Sequence, residues 1–200
     1  MASGGAGRKV VESRSVDLSL LSDEVKKRAS RVKLVLMDVD GVLTDGTLYY
    51  FPGPDGKPTE FKGFNSQDGA GLHFLNLCGI KTGVISGRDS QAVNERARIL
   101  KITYIYQGYL EKESIYEEIL SKEGVDDDEV CFIGDDFPDY PLLKRCGFAV
   151  AVGNARQELK DRAHYVTEAY GGDGAVREAI EVILKSSGKW DKVLTKFGFI

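Results

Sequence analysis

The sequence predicts an α/β fold, a parallel sheet with helices on both faces, and three observations predict it. Short, nearly continuous apolar runs recur along the chain, the pattern of strands buried on both sides. Stretches with helical spacing of apolar residues separate those runs, as crossover helices separate parallel strands. The 200 residues are 42% hydrophobic and 29% charged, which suits one compact domain with a full core.

Taken in order, residues 18–29 place Leu18, Leu21, Val25 and Ala29 on one helical face, and Ser22-Asp23-Glu24 is a good helix start. Residues 32–37 form the first buried strand and end at Asp38. Further strands are expected at 81–85, 103–106, 130–133 and 148–152, with a short extended piece at 165–167. Helices are expected at 69–78, 90–100, 111–123, 139–145, 155–163 and 175–185. One segment breaks the alternation. Residues 47–51 and 59–64 flank PGPDGKP, whose Pro, Asp and Gly are turn residues, so a β-hairpin is inserted after the first strand. Asp126-Asp127-Asp128 reads as a solvated loop or a helix start. The boundaries that follow are a flexible leader over 1–16, a body over 17–187 with the hairpin as a flap over 47–64, and a tail over 188–200.

Composition narrows the function. Lys plus Arg number 27 and Asp plus Glu 31, a net charge of −4, which argues against nucleic acid or an anionic membrane as the main partner. No stretch approaches the ~18 apolar residues of a membrane span, and the first residues lack the apolar core of a secretory signal, so a cytoplasmic protein is expected. Cys78, Cys131 and Cys146 form no CxxC and read as small buried hydrophobes of a reducing compartment. His73 lies in a helical stretch and reads as a packed or surface residue. GxGxxG and GxxxxGK[ST] are both absent, and Val42 stands where a calcium loop needs Asp or Asn.

In an open parallel sheet, ligands sit beyond the carboxyl ends of the strands. Polar residues cluster at those ends: Asp38, Asp40 and Gly41 after the first strand, Ser86-Gly87-Arg88 after the second, Lys112 at a helix start, and Gly134-Asp135-Asp136 with Asp139 after the fourth. Asp38 and Asp40, two apart on an extended chain, point into the same volume. Two carboxylates ~4 Å apart at an effective dielectric of ~20 repel by about 4 kcal/mol. A hard divalent cation removes that cost, and Mg2+ suits an all-oxygen donor set better than zinc. With a hydroxyl, backbone N–H groups and a lysine nearby, the set reads as a phosphate receptacle. Asp38 is then a nucleophile towards phosphorus, and Asp40 is placed to protonate the leaving oxygen and later to activate water. Asp139 has a second reading, as N-cap of the helix that begins with Pro141, and Ser86 could equally be an N-cap. Arg88 contacts substrate or makes a surface ion pair, and Trp190, Phe197 and Phe199 in the tail pack on the body or cover a neighbour's site.

These motifs, in this order, resemble the haloacid dehalogenase superfamily of phosphohydrolases, with a Rossmann-like (HAD-like) sheet. DVDGVLTDG is similar to its nucleophile motif, Ser86 matches the second motif, Lys112 the third and GDDFPD the fourth. The resemblance implies Asp38, Asp40, Ser86 and Lys112 as catalytic residues. It implies Mg2+ held by the Asp38 carboxylate, the Asp40 backbone carbonyl and Asp135. Gly41, Gly87, Arg88, Lys112, Asp136 and Asp139 are the candidates for contacts to substrate, Arg88 for a sugar-acid carboxylate. DVDGVLTDG, DGAGL, ISGRDS, IGDD, VAVGNA, YVT and GGDGAVRE more narrowly resemble the 3-deoxy-D-manno-octulosonate 8-phosphate phosphatase family. That resemblance covers most of the chain from about Val25. It implies no large cap domain, a small phosphorylated sugar acid as substrate, a role in lipopolysaccharide sugar synthesis, and a homotetramer. In such a tetramer a neighbour's hairpin and tail help close each site. Gln67 stands where that family often has Arg, and the turn PGPDGKP is longer than usual. The alternatives are a phosphatase of a nine-carbon acid phosphate, of the N-acylneuraminate 9-phosphate type, and a non-catalytic binding subunit. Retention of Asp38, Asp40, Lys112 and Asp135 argues against the latter.

Overall fold

The computed structural model describes residues 15–53 and 56–200. Ser22 caps α1 (Asp23–Ser30) by accepting from the Val25 N–H at 3.3 Å, as Ser22-Asp23-Glu24 predicts. The expected helix over 18–29 is nevertheless two pieces, because Asp17 caps a separate 3-10 turn at Leu18–Leu20 and the chain turns extended at Leu21. β1 (Leu34–Met37) is buried along its whole length. The hairpin follows as β2 (Tyr49–Pro52) and β3 (Pro58–Phe61), antiparallel, and its turn at residues 54 and 55 lies outside the described residues.

α2 (Ser66–Leu77) begins three residues before the expected start, because Asn65 accepts from the Gln67 N–H at 2.7 Å and caps it. β4 (Lys81–Ser86), α3 (Gln91–Leu100), β5 (Tyr104–Gln107), α4 (Glu113–Glu123), β6 (Val130–Gly134), α5 (Tyr140–Arg145) and β7 (Phe148–Ala151) follow the predicted alternation. The helix expected over 155–163 shrinks to one turn, α6 (Gln157–Lys160). The flanking residues are used elsewhere: the Arg156 N–H goes to Asp135 O at 2.8 Å, and the His164 N–H to Ala149 O at 2.9 Å as the chain enters β8 (Tyr165–Val166). α7 (Ala175–Ser186) is followed by α8 (Trp190–Lys196), a helix the aromatic tail did not announce. Trp190 and Phe197 pack edge-on against Phe74 of α2, at 6.0 and 5.6 Å between ring centroids.

The six-stranded sheet has the order β5-β4-β1-β6-β7-β8, with every pair parallel and helices flanking it. β1 is central: the chain winds outward through β4 and β5 on one side and then returns to build β6, β7 and β8 on the other, so a crevice opens at the carboxyl ends where the winding reverses. The leader predicted over 1–16 lies outside the described residues save Ser15 and Val16, which Lys185 holds from α7 through Ser15 Oγ at 3.0 Å and Val16 O at 2.7 Å. Cys131 and Cys146 are buried and Cys78 half-buried, all three as free thiols. His73 is exposed on α2. Among the described residues, no helix is long and apolar enough to cross a membrane.

Candidate active site

β1 ends on Met37, and the Asp38 N–H still bonds the Ile133 carbonyl of β6 at 3.0 Å, so the carboxylate leaves the sheet at its centre. The next residues fold into a tight loop around Thr44, whose hydroxyl donates to Val39 O at 3.3 Å and accepts from Gly46 N–H at 3.2 Å. Gly41 has φ +89°, and a Cβ there would lie 2.2 Å from Asp135 Oδ2. Only glycine lets the β1 and β6 loops approach this closely.

Lys112, 3% exposed, reaches Asp38 Oδ1 at 2.9 Å and donates to Asp139 Oδ1 at 2.7 Å. Burial pushes the Lys112 ammonium down, but Asp139 and Asp38 outweigh it and hold it above its usual value. Asp139, 1% exposed, uses its other oxygen to accept from the Asp135 and Asp136 N–H groups at 3.0 and 3.4 Å. It stands at the N-cap position of α5 but makes no cap bond there. It orients the lysine and the β6 loop instead.

Oxygens of Asp38, Asp135 and Asp139 all lie within 4.8 Å of one another. Burial, then the charges of Asp139, Asp38 and Asp136, lift the Asp135 carboxyl to about 8, with Lys112 opposing. Burial and Asp139 likewise raise Asp38 to about 6 against Lys112. Carboxyls pushed so far up are short of positive charge, and the donors are oxygen only. The residues fit a hard divalent cation such as Mg2+.

A cavity of about 250 Å³ opens over this centre, lined by Asp38, Asp40, Ser86, Gly87, Arg88, Leu110, Lys112, Asp135, Asp136, Pro138 and Asp139. The structure thus brings every predicted site residue to one place except Gly41, which sits behind the wall against Asp135. Ser86 is buried at the end of β4, its Oγ accepting from the Arg88 N–H at 3.2 Å, while Ser90 takes the N-cap position of α3. A Cβ on Gly87 would meet Leu110 at 2.7 Å. The exposed Asp136 caps its own loop through Phe137 N–H at 2.8 Å. Arg88 pairs with Glu60 of the flap and lies 3.7 Å from Asp40.

Two contributions escaped the sequence reading. Lys62, just beyond β3, has a buried side chain paired with Asp40. The Glu60-Phe61-Lys62 alternation was the available signal, since residues two apart on an extended chain share a side. Asn154, beyond β7, donates to Gly41 O at 3.1 Å and accepts from Gly171 N–H at 2.6 Å. It stands at a strand end, where the same rule that found Asp135 applies.

Comparison with known proteins gives the chain's relatives. Residues 82–180 match the family model of haloacid dehalogenase-like hydrolases. The 3-deoxy-D-manno-octulosonate 8-phosphate phosphatase KdsC of Yersinia pestis is 40% identical over 169 residues, 84% of this chain and 88% of that one. The KdsC protein of Escherichia coli K12 is 38% identical over 172 residues, 86% of this chain and 89% of that one. A crystal structure of the Moraxella catarrhalis phosphatase, in complex with magnesium ion, phosphate ion and KDO, superposes with a TM-score of 0.82 at 38% identity, covering 87% of this chain and 98% of that one. Similarity of this depth along most of both chains, on a site of this construction, makes the chain a member of the haloacid dehalogenase-like hydrolases, in the 3-deoxy-D-manno-octulosonate 8-phosphate phosphatase family.

Proposed function

We propose that this chain is an Mg2+-dependent phosphomonoesterase that hydrolyses 3-deoxy-D-manno-octulosonate 8-phosphate to the free sugar acid and phosphate through an aspartyl phosphate. The observation that carries the reading is the convergence of Asp38, Asp135 and Lys112 at the floor of the cavity that Asp40 and Ser86 also line. The relatives named for this reaction support the choice of substrate.

Asp38 and Asp135 with the Asp40 carbonyl are the residues that would hold the cation. When bound, it neutralises charge on the phosphate and on the carboxylates facing it. Asp38 attacks phosphorus, forming an O–P bond as the ester O–P bond breaks, and Asp40 gives its proton to the departing sugar oxygen. Asp40 then takes a proton from water, whose oxygen attacks the aspartyl phosphate, releasing phosphate and restoring Asp38. Lys112 balances charge beside Asp38, and Ser86 with the Gly87 backbone offers donors to phosphate oxygens. Asp38→Asn tests the assignment: phosphate release from the eight-carbon substrate falls at least 10³-fold while the circular dichroism spectrum is unchanged. Undiminished release ends the nucleophile reading.

A nine-carbon acid phosphate is the second reading, kept open because Gln67 and the longer hairpin turn depart from the family pattern in segments that the resemblance assigns to substrate choice. A phosphate-release screen over six- to nine-carbon acid phosphates decides between them. Assembly belongs to the same proposal. The flap exposes Tyr50, Phe51 and Phe61 at 55%, 47% and 46%, and the tail exposes Phe199 and Ile200 at 76% and 67%. These apolar surfaces support a homotetramer in which flap and tail close neighbouring sites. On the family resemblance the enzyme acts in the cytoplasm and its product feeds lipopolysaccharide sugar synthesis.

A further inference from the structure

Charged side chains alternate in sign around Asp40, and two of them come from the flap. Lys62, with its side chain 1% exposed, pairs with Asp40 Oδ1 and lies 3.2 Å from Glu60 Oε1. Arg88 closes the ring: its guanidinium pairs with Glu60 Oε2, stands 3.7 Å from Asp40 Oδ2 and donates to the Tyr50 hydroxyl at 3.2 Å. Burial would lift the Glu60 carboxyl, but hydrogen bonds from Arg88 and Lys62 outweigh it and hold it below the usual carboxylate range. The two cations nearest Asp40 are therefore already engaged by a carboxylate that the protein supplies.

We propose that Glu60 is an internal stand-in for the substrate carboxylate, occupying Arg88 until an incoming sugar acid displaces it and so releases the flap. The inference rests on the sugar-acid reading above. The exchange is physically easy on both sides. Arg88 is 43% exposed, and its planar fork accepts one carboxylate as readily as another. Glu60 is the one partly buried residue of β3, its side chain 15% exposed, and its neighbours in the strand are exposed, so a change of rotamer carries its carboxylate to solvent. Lys62 keeps Asp40 as its partner, so no buried charge is left unpaired when Glu60 leaves. A phosphate ester without a carboxylate has nothing to trade with Glu60 and leaves the flap latched. Glu60 thus couples release of the flap to arrival of the substrate's acid group, and it does so by competing with that group for Arg88.

The experiment compares wild type with Glu60→Gln on the eight-carbon acid phosphate and on p-nitrophenyl phosphate. The substitution disturbs the surroundings of Asp40 equally for both substrates, so their kcat/KM ratio isolates the latch. The ratio is expected to rise about three- to tenfold in favour of the acid, through a lower KM, the scale of a half-exposed, charge-assisted pair. In an Arg88→Ala background the same substitution is expected to leave the ratio where Arg88→Ala alone put it. A ratio that stays level or falls in Glu60→Gln overturns the proposal, as does an equal rise without Arg88. Wild-type enzyme that hydrolyses only a nine-carbon acid overturns the choice of substrate, and the latch is then judged by the same ratio with that acid. Turnover of neither acid overturns both.

Discussion

On the Asp135 carboxyl, raised to about 8, and on Asp38, raised to about 6, protons compete with the cation for the same oxygens. A carboxyl with a raised pKa is protonated below that value, so at pH 7 binding of Mg2+ displaces a proton, mainly from Asp135. Apparent affinity therefore rises as pH rises towards 8 and falls on the acid side, by up to about tenfold per pH unit for each proton displaced. Titration calorimetry on the metal-free enzyme at pH 6, 7 and 8, in buffers of different ionisation heat, measures both affinity and protons released. Constant affinity with no proton release would mean that Lys112 alone keeps the carboxylates ionised. The activity profile follows the same sign, with excess Mg2+ shifting the acid limb to lower pH.

Between elements, Asn154 ties the loop after β7 to the nucleophile loop after β1, and the turn before α7 lies directly on both. A Cβ on Gly171 would stand 1.7 Å from Gly41 O, and the Gly172 N–H bonds Val42 O at 3.0 Å. Asn154 is itself exposed but its two bonds are partly buried, and Asn154→Ala removes both, leaving Gly41 O and Gly171 N–H without that partner. We expect a loss of about 1–3 kcal/mol in stability, roughly 2–4 °C of Tm for each kcal/mol, together with a fall in kcat. An unchanged Tm and unchanged kcat would show that the loops hold their form without it. This coupling also explains what was legible in the sequence. Residues 32–37 are apolar except at Lys33 and stop at Asp38, so both the strand and its carboxylate were readable locally. Asp135, Ser86 and Lys112 followed from the same strand-end logic. Asn154 and Lys62 carried weaker local signals, a strand end and a two-residue alternation, and neither signal names its partner across the fold, Gly41 or Asp40. Asn65 displaced the start of α2 because a single cap bond decides where a helix begins. α8 was hidden for a different reason: it is short, and it is held by Trp190 and Phe197 packing on Phe74, a contact more than a hundred residues away in sequence.

At the scale of the whole molecule, flap and tail are unlike the body. A two-stranded ribbon on its own is marginal in water, and this one carries a stack of Tyr49 on Phe61 at 5.0 Å with Phe51 beside it at 5.7 Å. Such an element gains most of its stability from further packing, and other copies of the chain are the partners proposed here. The tail divides at Phe197. Up to that residue it is anchored on its own α2 and α7, with Trp190 between the cations of Arg177 and Lys185 at 5.8 and 5.2 Å. Beyond it, Phe199 and Ile200 are largely exposed. Removing residues 188–200 would strip a docked helix and confuse stability with catalysis, whereas removing 198–200 leaves α8 in place. We expect the shorter truncation to retain Tm within about 2 °C, the range of a surface change in a chain of this size. If these residues cover a neighbour's cavity, KM for the sugar acid phosphate rises severalfold more than KM for p-nitrophenyl phosphate. Specific activity towards the acid then also falls on dilution of the full-length protein through the concentration at which light scattering shows the assembly coming apart. Equal effects on both substrates, or activity indifferent to dilution across dissociation, would leave each chain closing its own site.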